Sequence, residues 1–123
     1  MKVYDTTFVP PAAVLDATVT NPFIQDRPNV SGRAILDSGA FKSVIPKEWA
    51  TRIGLLPITE VTARGYDGIE HKEPACIAEI AFNGHSFELE VIMVQRRSVL
   101  IGRDILNQLK LTLDGPNLQF EIV

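Results

Sequence analysis

Short apolar runs, some alternating with polar residues and some continuous, recur along this chain between clusters of glycine, proline and asparagine. Residues 12–20 are rich in β-branched side chains and predict a first strand. Residues 21–32 carry two prolines, two asparagines and a glycine, which predicts a long exposed hairpin loop. Residues 33–36 are a short, mostly apolar run ending at Asp37-Ser38-Gly39-Ala40, the pattern of a buried strand opening into a loop. Val44-Ile45 is a further short strand. Pro46 suits a first helical position, residues 47–53 a short helix, and Gly54 its stop. Residues 57–64 and 69–82 read as two strands around the glycine-bracketed tip Gly65-Tyr66-Asp67-Gly68. Asn83-Gly84 is the strongest hairpin signal in the chain. It leads into residues 85–94, where Phe87, Leu89, Val91 and Met93 alternate with other residues.

After a polar turn at residues 95–98, Val99-Leu100-Ile101 reads as a buried strand stopped by Gly102. Residues 104–109 have the spacing of one or two helical turns, with Ile105, Leu106 and Leu109 on one face. Two last strands, 111–113 and 118–123, flank the turn Asp114-Gly115-Pro116-Asn117. Many short strands with regular turns predict an all-β sandwich or barrel. The chain of 123 residues is expected to form one domain, 1–123, with 1–11 (ending in Pro10-Pro11) as an extended N-terminal arm. Strand, glycine loop, strand and short helix near Asp37 loosely match strand, glycine and short helix near Gly102, which hints at two related halves.

Composition narrows the function classes. Net charge is −3, from 12 basic and 15 acidic residues without a basic block, so nucleic acid is not an expected partner. No apolar run nears the roughly 20 residues of a membrane span, and the start is too polar and Pro-rich for a signal peptide. Cys76 stands alone, so no internal disulfide or thiolate metal cluster forms. A cytoplasmic location is expected, with no membrane association. His71 and His85 have no metal-ligand spacing, so neither metal nor cofactor is expected. Cys76 and His71 lie five apart on one strand and face opposite ways. Trp49 reads as core, and Glu88 and Glu90 as water-facing.

The chemistry concentrates at Asp37. A carboxylate at the end of a buried strand is costly unless it is hydrogen-bonded or functional. Ser38 supplies a hydroxyl, and Gly39 allows close backbone approach.

Leu36-Asp37-Ser38-Gly39-Ala40, followed by Ser43-Val44-Ile45, resembles the active-site segment of the retropepsin-like aspartic proteases. Residues 99–106 (Val-Leu-Ile-Gly-Arg-Asp-Ile-Leu) resemble the family's second motif, and Gly65 to Gly68 falls where its flap tip lies. The resemblance covers residues 12–123. It implies a closed barrel with a flap hairpin and one or two short helices. It also implies an aspartic endopeptidase in which Asp37 is catalytic and Ser38 and Gly39 support the active-site loop. Ala40, Phe41, Gly65, Tyr66, Asp67 and Gly68 would contact an extended peptide or protein substrate. The sequence carries one Asp-Ser/Thr-Gly, and Asp104 and Asp114 lack that context, so a homodimer would supply the second carboxylate. In the family, chain ends often interleave, and residues 118–123 could supply such a strand. Arg103 and Asp104 read as a helix start. Two departures stand out. Retroviral members have an acidic residue after the alanine, paired with the arginine of the second motif, where this chain has Phe41; and the loop after the first strand is long. The alternative is that the same fold serves as a peptide-binding or dimerisation module with weak or no catalysis.

Overall fold

A computed structural model describes residues 1–65 and 67–123. It contains β1 (Lys2–Val3), β2 (Val14–Thr20), β3 (Asn29–Leu36), β4 (Val44–Pro46), α1 (Lys47–Arg52), β5 (Thr59–Arg64), β6 (Glu70–Phe82), β7 (His85–Val94), β8 (Val99–Ile101), α2 (Arg103–Leu106), β9 (Leu111–Asp114) and β10 (Gln119–Ile122). The large sheet runs β2-β3-β8-β4-β7-β6-β5, and a further β2–β6 pairing closes its first six strands into a barrel. The all-β closed barrel with two short helices expected from the sequence is the architecture found. Its interior is filled by Val19, Ile45, Ile80, Val91, Val99, Ile101 and Ile105, all essentially inaccessible to water.

The hint of two halves becomes a pseudo-two-fold arrangement. β3 runs parallel to β8 and β7 runs parallel to β4. β4 and β8 meet at Val44 and Leu100, and β2 and β6 meet at Val19 and Ile80. These registers relate β3 to β7 by one constant offset, pairing Val30 with Phe87, Ile35 with Ile92 and Asp37 with Val94. The second half therefore carries an aliphatic residue where the first carries Asp37.

Strand β3 begins at Asn29, so residues 29–32 belong to the sheet and the loop after β2 is residues 21–28. Pro28 and Gly32 read as loop signals, yet Gly32 is needed inside the strand. A Cβ there would lie 2.6 Å from the Trp49 ring, which comes close against the backbone. Asn21 ties the shorter loop down, donating to Ile53 O at 2.9 Å and accepting from Phe23 N–H at 3.0 Å. Asn83 and Gly84 both have positive φ and make the two-residue turn between β6 and β7 that their sequence announces. Pro46 ends β4 and caps α1 from outside the helix.

Residues at the chain start are tied down: Lys2 and Val3 pair with Phe120 and Gln119. β10 lies between β1 and β9 of its own chain, with Phe120 fully buried and Tyr4 against its ring at 6.1 Å. Both edges of β10 are thus occupied by strands of its own subunit. Glu88 is exposed as expected. Glu90 is not simply water-facing, because its carboxylate meets Lys42 Nζ at 2.9 Å. No helix among the described residues is long and apolar enough to cross a membrane.

Candidate active site

β3 delivers Asp37 to the mouth of the barrel. Its N–H donates to Ile101 O at 2.9 Å, which carries the β3–β8 pairing one residue past the strand. The chain then turns tightly. Gly39 N–H donates to Asp37 Oδ1 at 2.9 Å, and Ala40 N–H donates to Asp37 O at 3.1 Å. The Asp37 side chain is half-buried, whereas Ser38 and Gly39 are exposed.

A second segment holds this loop from behind. Arg103 answers the loss of its acidic family partner by donating from Nη1 to Ser38 O at 2.9 Å, while its N–H donates to Ala40 O at 2.8 Å. Ser43 is fully buried; its hydroxyl donates to Asp104 Oδ1 at 2.7 Å and accepts from Gly102 N–H at 3.0 Å. The Asp104 carboxylate also accepts from Ser43 N–H and Ile105 N–H, each at 2.9 Å. Asp104 is therefore structural, as its place at a helix start suggested. Gly102 lets the two segments touch: a Cβ there would fall 2.7 Å from the Lys42 carbonyl and 2.9 Å from Ala40 O.

The β5–β6 hairpin reaches over this loop. Asp37, Gly39 and Ala40 share a cleft of about 370 Å³ with Arg64 and Gly65 of the hairpin. A neighbouring cleft of about 300 Å³ takes in Gly39, Ala40 and Phe41 together with Gly65. Asp67 and Gly68 shape the tip itself: Gly68 N–H donates to Gly65 O at 3.0 Å and Ile69 N–H to Asp67 Oδ1 at 2.9 Å. Tyr66 lies outside the described residues. Phe41, 45% exposed, sits on the cleft and not in the core.

Sequence reasoning missed Arg96, because residues 95–98 read only as a polar turn. Arg96 lines the cleft that holds Ala40 and Phe41. Burial pulls its pKa below the usual arginine range, while the nearby Asp37 charge works the other way. The pair Arg96-Arg97, separated from a buried strand by Ser98 alone, was the available signal. Cys76 is buried in β6 with its thiol pushed up to about 11 by burial, so it is a packing residue. His71 is exposed on the hairpin, 3.9 Å from Asp67.

Chemically, the site offers one positioned carboxylate with an oxygen occupied by a backbone N–H. Water attack on an amide by paired carboxylates needs a base and an acid. One subunit supplies a single candidate, since Val94 occupies the equivalent place in the other half.

Residues 24–115, which span both the Asp37 loop and the Gly102-Arg103-Asp104 segment, match the family model described as aspartyl protease. The chain belongs to the aspartyl protease family. No curated protein matches it significantly. Among solved structures, this aspartyl protease family member is similar to the EIAV protease in an inhibitor complex (16% identity, 79% of this chain and 86% of that one, TM-score 0.57). It is similar to the Simian Foamy Virus (mac) protease (18% identity, 77% and 92%, TM-score 0.56). It is also similar to the retroviral protease-like domain of Ddi1 from Leishmania major (22% identity, 99% and 89%, TM-score 0.55). At these identities the neighbours establish a retropepsin-like fold, in agreement with the family model.

Proposed function

We propose that this chain is one subunit of a homodimeric aspartic endopeptidase in which Asp37 and Asp37 of a second copy form the catalytic dyad. The observation that carries the proposal is the clamped Asp37 loop, fixed by Ile101 O, Gly39 N–H and Arg103 and opening into a cleft beneath the β5–β6 hairpin. Two carboxylates a few ångströms apart cannot both ionise readily, so they share one proton. One then takes a proton from a bound water, while the other hydrogen-bonds the scissile carbonyl. An extended peptide lies between the loop residues Ala40 and Phe41 and the hairpin tip, Gly65 to Gly68, pairing with it strand to strand. Tip closure excludes water and positions the bond. Because β10 is enclosed, the second copy adds at the outer strands of the small sheet, where Val3 is 72% and Leu113 58% exposed.

The test is incubation of the purified chain with a diverse peptide pool between pH 4 and 7, beside sedimentation. The expected result is a dimer that cleaves peptides, with a bell-shaped pH profile and activity abolished by Asp37→Asn while fold and dimer persist. An Asp37→Asn protein that cuts as well as the wild type ends the proposal.

Phe41 favours a second reading, a peptide-binding or dimerisation module without catalysis, because an exposed apolar ring replaces the acidic family residue. A dimer that retains peptides uncleaved supports it.

A further inference from the structure

The cleft beside the Asp37 loop has an apolar wall, to which Ala40, Val94 and Leu100 contribute, and a charged rim of Lys42, Arg64, His71, Glu73 and Arg96. Two of the rim's three permanent cations are already paired. Lys42 meets Glu90 at 2.9 Å, Arg64 meets Glu70 at 2.8 Å, and His71 lies 3.9 Å from Asp67. Arg96 is different. Its Nε donates to Ser98 O at 2.6 Å and one Nη to Ser98 Oγ at 3.4 Å, which holds the side chain across its own turn. Among the described residues no carboxylate lies within ion-pair distance of it, Glu73 on the same cleft included. A guanidinium has five N–H donors, so most of this fork's donors are not used by Ser98.

The position is equally specific. By the pseudo-two-fold registers, the turn after β7 is the counterpart of the Asp37 loop, and Arg96 stands where the first half has Gly39. A fixed, half-buried cation thus faces the cleft from the turn opposite the Asp37 loop. The Asp37 charge reaches this guanidinium without pairing with it directly, so its free donors remain open, and a carboxylate entering the cleft would bind them through charge-assisted, bidentate hydrogen bonds.

We propose that Arg96 is a specificity-determining residue that selects peptides carrying an aspartate or glutamate side chain within three residues of the bond placed at Asp37. This inference rests on the peptide-cleaving reading above and names its substrate class. The source of the anion is a side chain and not a chain terminus, because the cleft lies alongside the Asp37 loop, where an extended peptide continues in both directions.

The test takes a peptide cleaved in the pool experiment and builds C-terminally amidated variants with Glu, Gln or Lys at each of three positions on either side of the cut. Wild type is expected to prefer Glu over Gln at one position by about ten- to a hundredfold in kcat/KM, the scale of a charge-assisted contact. Arg96→Gln should level that preference, Arg96→Lys should keep part of it, and Arg96→Glu should turn it toward Lys. Equal use of Glu and Gln by wild type at every position overturns the inference, as does a Glu preference that survives Arg96→Gln. A preference present with a free C-terminus and lost on amidation overturns it too, by assigning the anion to the terminus. Should wild type cleave nothing, a pool peptide that wild type retains is labelled, the Glu, Gln and Lys series is built at each of its positions, and affinities for wild type and Arg96→Gln are measured by fluorescence anisotropy. A tenfold Glu preference in affinity that Arg96→Gln removes then sustains the role of Arg96 while the catalytic reading fails. Absence of both cleavage and binding ends both.

Discussion

The Ser43 hydroxyl donates to Asp104 Oδ1 at 2.7 Å, joining the segment that follows the Asp37 loop to the helix start that stands behind it. Ser43 also accepts from Gly102 N–H, so one buried side chain serves both segments. Ser43→Ala leaves Gly102 N–H and part of the Asp104 carboxylate without partners. A stability loss of about 1–3 kcal/mol is expected in denaturant unfolding. Asp104→Ala removes the acceptor for Ser43 O–H, Ser43 N–H and Ile105 N–H together, and should cost more than Ser43→Ala. If Ser43→Ala unfolds at the wild-type midpoint, this link does not hold the loop.

Gly102→Ala tests how closely the two segments pack. The added Cβ meets backbone at 2.7 Å, and backbone cannot rotate away as a side-chain tip can. Destabilisation of about 1–3 kcal/mol is expected, the usual cost of overpacking. Gly115→Ala, where a Cβ meets nothing within 4 Å, is the control and should unfold near the wild-type midpoint.

Arg103→Ala should separate positioning from stability. The guanidinium donates to Ser38 O from an exposed location, so its removal should shift the unfolding midpoint little. It releases the carbonyl next to Asp37, however. If the chain cleaves peptides, kcat should fall about tenfold with KM nearly constant, as expected when the loss is confined to the transition state. A fall in KM-dependent binding alone would contradict this role.

Cys76 gives a pH dependence whose sign follows from its burial. Its folded pKa is raised from the ordinary 9.0 to about 11. Below about pH 9 the thiol is protonated in native and unfolded chains, and its contribution is complete. Between pH 9 and 11 the unfolded chain ionises and the native one does not, so stability falls as pH rises, by on the order of 2 kcal/mol across that window. Unfolding midpoints measured from pH 8 to 11 should show this decline, and Cys76→Ala should flatten it. A slope unchanged in Cys76→Ala would assign the decline to other groups.

Local signals made most of the fold legible. Asn83-Gly84 marked its hairpin because both residues tolerate positive φ, and both adopt it. The Asp37 loop was visible because a carboxylate after a buried run demands an explanation. Where the reading went astray, long-range contacts decide. Gly32 looks like a loop residue until Trp49, distant in sequence, lies over it. Glu90 alternates like a solvent residue until Lys42 meets it. Arg103's partner is a carbonyl, which no residue type announces. Arg96 sits in a turn of ordinary composition, and its significance depends on the barrel bringing that turn beside Asp37.

Val94 standing where a second acid would complete the pair has a consequence for how output scales. A lone copy holds half a catalyst. Under the proposed mechanism, hydrolysis at high dilution rises with the square of protein concentration and becomes linear only once association saturates. The molecule is then dormant when scarce and switches on as its concentration rises.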